Sequence, residues 1–127
     1  SKCLVFHGLE DLSLINQIDS LTYLDVYDSK VTNLLILEKH SELEYLDIRQ
    51  TNVSDLSPLS KLSKLEYLDI RGTNVVNLRP LSKLKNFQKL FLDFRTNFDT
   101  TPLRNIANLE IIRRSTVRRV ISEDDDW

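Results

Sequence analysis

Few residues of this chain could do chemistry, and those that recur do so at a fixed interval. Asp25, Asp47 and Asp69 lie twenty-two residues apart, each two places after a tyrosine (Tyr23, Tyr45, Tyr67). Arg49 and Arg71 follow the second and third aspartates by two places, and Tyr27 takes that place after the first. A column of carboxylates can bind a hard cation such as calcium through oxygen ligands. Tyrosine and arginine are instead the residues that most often anchor protein interfaces. The other candidates stand alone. Cys3 has only Lys2 beside it to lower its pKa, and no serine or cysteine has the sequence surroundings of an activated nucleophile. His7 and His40 fall in different columns of the repeat set out below, so they read as substitutions in a framework rather than as a catalytic pair. No catalytic residue, metal site or cofactor is expected.

Composition narrows the class further. The 127 residues suit one domain, and 17 Lys+Arg against 19 Asp+Glu give a net charge of −2. That balance argues against a nucleic-acid partner, which would favour a basic surface. A single cysteine excludes an internal disulfide framework. Two glycines leave little room for a phosphate-cradling loop. The longest unbroken apolar run is four residues, Leu34 to Leu37, far short of the ~20 that span a bilayer, so no membrane insertion is expected. No segment reads as a signal peptide. The outstanding feature is 23 leucines.

Those leucines are periodic. Residues 43–64 read LEYLDIRQTNVSDLSPLSKLSK and residues 65–86 read LEYLDIRGTNVVNLRPLSKLKN, with sixteen of twenty-two positions identical. Phases twenty-two residues away begin at Leu21, Phe87 and Leu109. The chain therefore divides into a partial repeat (1–20), four full repeats (21–42, 43–64, 65–86 and 87–108) and a C-terminal cap and tail (109–127), all within one domain. Apolar residues hold positions 1, 4, 6, 11, 14, 17 and 20 of the second and third full repeats, with His40 at position 20 of the first and a local slip in the fourth. In the partial repeat, Leu4, Leu9, Leu12, Ile15 and Ile18 align with Val26, Val31, Leu34, Leu37 and His40.

This spacing resembles the leucine-rich-repeat family in its bacterial, internalin-like, twenty-two-residue form, over roughly residues 1–112. One departure is consistent: the family's asparagine at position 9 is replaced by Ser29, Thr51 and Thr73, with Thr96 one place late. The family uses that side chain to bond backbone groups inside the turn. A hydroxyl can do the same, so a threonine ladder is expected.

Positions 1 to 6 alternate, which is the period of a strand. The expected fold is α/β, a right-handed leucine-rich-repeat solenoid with a concave parallel sheet and short 3-10 or helical segments on the convex side. The return path contains Ser57-Pro58 and Arg79-Pro80. Proline suits the first turn of a helix, with the preceding serine as an N-cap. No unit has a core of its own, so stacking must bury the leucines as one ladder. The fourth repeat runs one residue long, predicting a bulge that pushes Phe94 or Arg95 outwards. In the last unit Arg114 falls at position 6, where an apolar residue belongs, and Val117, Val120 and Ile121 are available for a closing strand or helix turn.

Outward strand positions form columns. Position 3 holds Tyr23, Tyr45, Tyr67 and Lys89; position 5 holds Cys3, Asp25, Asp47, Asp69 and Phe91; position 7 holds Val5, Tyr27, Arg49, Arg71 and Asp93. Two accounts compete. The columns are either ladder pairs, with Asp47 and Asp69 joined to Arg49 and Arg71, or a face that binds another protein, with tyrosines as anchors, aspartates as acidic contacts and arginines setting specificity. Like charges ~4.8 Å apart repel, and parallel sheets are usually covered on both faces. Both points favour binding. Calcium is disfavoured by the same spacing and by the arginines. Five strands give a face ~24 Å wide, suited to a helix, loop or extended segment.

The expected function is therefore non-catalytic protein–protein recognition on the concave face, with a partner of unknown identity. Alternatives are an internalin-like extracellular adhesin fragment, as the resemblance implies, and a small inhibitor or immunity-type protein that offers an acidic face to a basic active site. A repeat protein without a dedicated ligand ranks behind these, and an enzyme last. Leu35 and Ile36, with Leu14, add a small convex apolar patch that suits a second contact or weak self-association. Lys61, Lys64, Lys83 and Lys85 read as a solvated convex face. Arg113, Arg114, Arg118 and Arg119 precede Glu123, Asp124, Asp125 and Asp126, and local pairing is preferred over a phosphate site. The expected location is cytoplasmic, or secreted or surface-exposed if the sequence is a fragment.

Overall fold

A computed structural model describes residues 2–94 and 97–115. Each repeat contributes one short strand: β1 (Cys3–Val5), β2 (Tyr23–Asp25), β3 (Tyr45–Asp47), β4 (Tyr67–Asp69), β5 (Lys89–Asp93) and β6 (Glu110–Arg114). They form one six-stranded parallel sheet in chain order. Convex returns are short 3-10 turns at Ser13–Gln17, Leu35–Lys39, Ser57–Leu59, Arg79–Leu81 and Thr101–Leu103. The chain is a right-handed leucine-rich-repeat solenoid, and the layers stack as the spacing predicts.

The core is a set of leucine columns. Positions 1, 4, 6, 11, 14, 17 and 20 of the second full repeat, Leu43, Leu46, Ile48, Val53, Leu56, Leu59 and Leu62, are all buried. The neighbouring repeats bury the equivalent residues. Each such side chain contributes about 1.5–3 kcal/mol by leaving water, but only because the next coil covers it.

The corners of the coil show how the sequence turns the strand aside. Position 8 takes a left-handed backbone at Asp28 (φ 58°), Gln50 (φ 58°) and Gly72 (φ 74°). Glycine suits this conformation best, and at Gly72 a side chain would also meet Gln50 at about 3.0 Å. The hydroxyl ladder then closes the turn. Thr51 Oγ1 donates to the Ile48 carbonyl (2.8 Å) and Thr73 Oγ1 to the Ile70 carbonyl (2.7 Å), while Ser29 Oγ accepts the Leu9 N–H (3.0 Å).

Three expectations need correction. First, strand β1 is two residues out of the anticipated phase: Cys3, Leu4 and Val5 pair with Tyr23, Leu24 and Asp25. Cys3 thus belongs to the tyrosine column and Val5 to the aspartate column. A shift of two keeps every side chain on its own face, and the first turn absorbs it by being two residues shorter between Leu4 and Leu9. Second, β6 is one residue early, with Ile111 beside Leu90 and Arg113 beside Leu92. Arg113, not Arg114, takes position 6, after a left-handed backbone at Asn108 (φ 64°). Third, Ser57 is not the cap of its turn. Asp55 Oδ1 accepts both the Ser57 N–H (2.9 Å) and the Ser57 hydroxyl (2.6 Å). Asp11, Asn33, Asn77 and Asp99 accept the corresponding N–H in the other repeats. An Asx residue at position 13 therefore opens every convex turn.

Phe94 is exposed after β5, as the long fourth repeat predicts. Arg95, the ladder residue Thr96 and the tail features (Val117, Arg118, Arg119, Val120, Ile121 and the acidic run) lie outside the described residues. Leu14 and Leu35 are exposed on the convex side, whereas Ile36 packs against the core, so the patch there is smaller than expected.

Candidate functional site

The outward side of the sheet is built by the Tyr-Leu-Asp triplet that forms β2, β3 and β4. The leucine anchors each strand in the core, and alternation turns its two neighbours outwards. Parallel register places Tyr23 beside Tyr45 and Tyr45 beside Tyr67, and likewise Asp25, Asp47 and Asp69 in line.

The tyrosines form a stack. Ring centroids are 4.0 Å apart for Tyr23 and Tyr45, with planes 4° from parallel, and 4.1 Å apart for Tyr45 and Tyr67, at 14°. Lys89 ends the column, so the stack crosses to the next one and Tyr67 meets Phe91 at 5.0 Å. Burial pushes the Tyr45 phenol above its ordinary pKa, and the flanking tyrosines add to the shift. Burial also raises Tyr67. Both phenols stay protonated and uncharged at neutral pH.

The aspartates depart from the expectation of displayed acidic contacts. Asp47 and Asp69 are 1 % and 0 % exposed. Each is sealed by the arginine two places on. Arg49 Nε donates to both Asp47 oxygens (2.9 Å each), and its Nη2 lies 2.8 Å from Oδ2. Arg71 reaches Asp69 in the same way, through Nε (2.9 and 3.1 Å) and Nη2 (2.6 Å). The backbone N–H of each arginine also donates to Oδ1 of its aspartate. Asp47 and Asp69 hold the end of the strand and the arginine above it, and offer no oxygen to solvent. Burial raises the Asp47 carboxyl, with Arg49 pulling it back. The same burial opposes the Arg49 charge, yet the combined pull of Asp47, Asp69 and Asp25 outweighs it and holds the guanidinium above its ordinary pKa.

Asp25 differs. Its side chain is 15 % exposed, and Tyr27 replaces the arginine that would cover it. Oδ1 accepts the Tyr27 N–H (2.9 Å) and lies 3.8 Å from His7 Nε2. Among the described residues no donor reaches Oδ2. His7 packs edge-on against Tyr27 (5.4 Å), and the Arg49 guanidinium lies over the same ring at 4.7 Å.

At the C-terminal end, Arg71 and Arg114 flank Phe91 at 5.4 and 5.9 Å. Asp93 is half-buried and accepts the Gly72 N–H (2.9 Å), while Lys89 is exposed. The structure thus brings Tyr23, Asp25, Tyr27, Tyr45, Arg49, Tyr67, Arg71, Lys89, Phe91 and Asp93 onto one surface, with Asp47 and Asp69 beneath it. His40 lies elsewhere, buried in the position-20 column of the core. Among the described residues neither of its ring nitrogens makes a well-aligned hydrogen bond, although the Ile15 backbone lies near enough to favour the charged ring. Burial lowers its pKa, and Lys39 adds to the effect.

Among the described residues no three His, Cys, Asp or Glu side chains group as metal ligands, and no helix is long and apolar enough to cross a membrane. The sequence offered the Asp47–Arg49 and Asp69–Arg71 pairs as one of two accounts, without showing that the arginines bury the carboxylates. It left the Asx column at position 13 unrecognised, although an Asp or Asn stands at that position in every repeat.

Comparison with known proteins places these observations. Residues 41–81 match the family described as Leucine Rich repeats (2 copies). No curated protein matches the sequence. Internalin C2 of Listeria monocytogenes superposes with a TM-score of 0.76 at 25 % identity, over 83 % of this chain and 46 % of that one. A second internalin of that organism gives 0.61 at 23 %, over 83 % and 38 %. A leucine-rich-repeat protein of Leptospira interrogans gives 0.70 at 22 %, over 87 % and 30 %. The chain spans less than half the length of each of these structures.

Proposed function

We propose that this chain, a leucine-rich-repeat solenoid in sequence and fold, is a non-catalytic recognition module that takes another protein on its concave face. Leucine-rich repeats commonly serve protein–protein interaction, and the reading refines that general role to one surface. The observation that carries it is the open side of the parallel sheet: a half-buried stack of three tyrosines flanked by arginines. Parallel strands are ordinarily covered on both sides. Tyrosine and arginine held rigid by their neighbours lose little entropy on binding, and they rank highest among interface anchors.

The test compares wild type with a Tyr45→Ala/Tyr67→Ala variant for capture of partners from the source organism, after circular dichroism shows that both fold. A partner retained by wild type and lost by the variant supports the concave face. Equal retention by both moves the site elsewhere.

The superposition on internalin C2 lends weight to a second reading, an internalin-like extracellular adhesin fragment. External protease added to intact source cells tests it: a surface protein is digested and an internal one is spared. The inhibitor reading is weakened, because Asp47 and Asp69 are paired from within and only Asp25 is left to make this part of the face acidic.

A further inference from the structure

The ladder of ion pairs has one vacant place. On β3 and β4 an arginine covers the aspartate two residues before it and forms hydrogen bonds with both carboxylate oxygens. On β2 the backbone is the same, the aspartate is in register with its neighbours, and its Oδ1 still holds the N–H two residues on. The arginine, however, is absent, and Tyr27 stands there. Asp25 Oδ2 is left without a donor among the described residues, on a surface where Asp47 beside it and Asp69 one strand further on are each paired with an arginine. Asp25 is therefore the carboxylate of the β2–β4 face that has no arginine hydrogen-bonded to it, and it acts on the Arg49 charge only from a distance.

We propose that this vacant place is filled by an arginine side chain of the partner protein, docked on Asp25 beside Tyr23 and Tyr27. The molecule supplies the template for the occupant twice, in Arg49 on Asp47 and Arg71 on Asp69. A guanidinium offers parallel N–H donors that match a carboxylate, and it also stacks on aromatic rings; an ammonium does the first poorly. The surroundings suit that planar cation. Tyr23 ends the aromatic stack and leaves a ring at the edge of the vacancy, and the Arg49 guanidinium over Tyr27 at 4.7 Å shows the pairing of planar cation and ring that this face favours. His7, 3.8 Å from Oδ1, lies beside the place and leaves Oδ2 open. The inference rests on the concave-face reading above and adds the chemistry of what binds there.

The test selects phage-displayed random peptides on the wild-type protein and measures their affinity for wild type, Tyr45→Ala, Asp25→Asn and Tyr27→Arg. Asp25→Asn keeps an Oδ1 acceptor for the Tyr27 N–H and removes the charge. Tyr27→Arg writes the sequence of β3 and β4 into β2 and lets the chain fill its own vacancy. Circular dichroism checks that each variant folds. The expected result is a set of peptides that share an arginine and lose about tenfold or more in affinity with either β2 variant. Replacing that arginine with citrulline should cost the same on wild type and little on Asp25→Asn. Peptides that need Tyr45 but ignore Asp25→Asn, or that bind equally with lysine or citrulline, overturn the inference and leave the concave face standing. A library that yields no peptide sensitive to Tyr45→Ala removes the face, and the vacancy with it.

Discussion

Strands β2 and β4 carry the same three residues, Tyr-Leu-Asp, on the same backbone, yet one aspartate is sealed and the other is open. The main difference is the side chain four places after the tyrosine, Arg71 on one strand and Tyr27 on the other, and the preceding strand adds Arg49 at 3.5 Å from Asp69 where Asp25 has His7 at 3.8 Å. On β4 the carboxylate has become part of the scaffold: it is buried and fixes the arginine that covers it. On β2 it is half-buried, with one oxygen that no donor reaches among the described residues. Repetition of a residue down a column therefore does not mean repetition of its role. What the next outward position supplies decides whether a charge belongs to the fold or to a ligand.

The contrast can be broken from the sealed side. Arg71→Ala removes the nearest partner of the Asp69 charge, which is 0 % exposed, and leaves it only Arg49 Nε at 3.5 Å. Removing one partner of a buried pair should cost about 3–5 kcal/mol, read as a lowered midpoint in urea unfolding. Tyr45→Ala comes next. It removes both stacked contacts of the central ring, and at roughly 0.5–1.5 kcal/mol for each pair the same measurement should show a loss of about 1–3 kcal/mol.

His40→Leu sharpens the comparison from the core, where a polar group has neither role. Leucine fills the same column at Leu62 and Leu84, so the variant exchanges two unsatisfied ring nitrogens for a side chain the column already accepts. A gain of about 1 kcal/mol is expected. The pH dependence has a definite sign. The folded histidine resists protonation while the unfolded one titrates near its ordinary 6.5, so below that value the unfolded state binds more protons. Wild-type stability should hold at neutral pH and fall as the pH drops below 6.5, and the variant should lose that slope. The smallest effect is expected for Asp25→Asn, which leaves no buried charge and keeps the Oδ1 acceptor. Its unfolding midpoint should move by less than about 0.5 kcal/mol.

The leucine spacing made the coil, the strand positions and the buried columns legible, because burial on one side enforces a strict register. At the ends that control weakens. Cys3–Val5 can slide by two residues without turning any side chain over, and only the length of the turn before Leu9 records it. The early start of β6 depends on a left-handed Asn108, which spacing does not reveal. The columns of the concave face were also legible as columns. Alternation assigned Asp47 and Asp69 to the outward side correctly, but outward did not mean exposed. Their burial comes from arginines folding back over the strand: the period of two puts each pair on one face and allows the contact, but it does not say how deeply the arginine covers the carboxylate.

The near-identity of residues 43–64 and 65–86 has a consequence for inheritance. Their strands present the same Tyr, Asp and Arg to the face, and their core residues are interchangeable. A crossover between the two coding segments removes or adds one twenty-two-residue coil and leaves each junction with a neighbour it already accepts. The sealed middle of the face can thus lengthen or shorten in steps of ~4.8 Å. The open carboxylate on β2 and the arginine-flanked Phe91 on β5 would be carried apart or together as intact ends, so the distance between them is the quantity that such exchanges would tune.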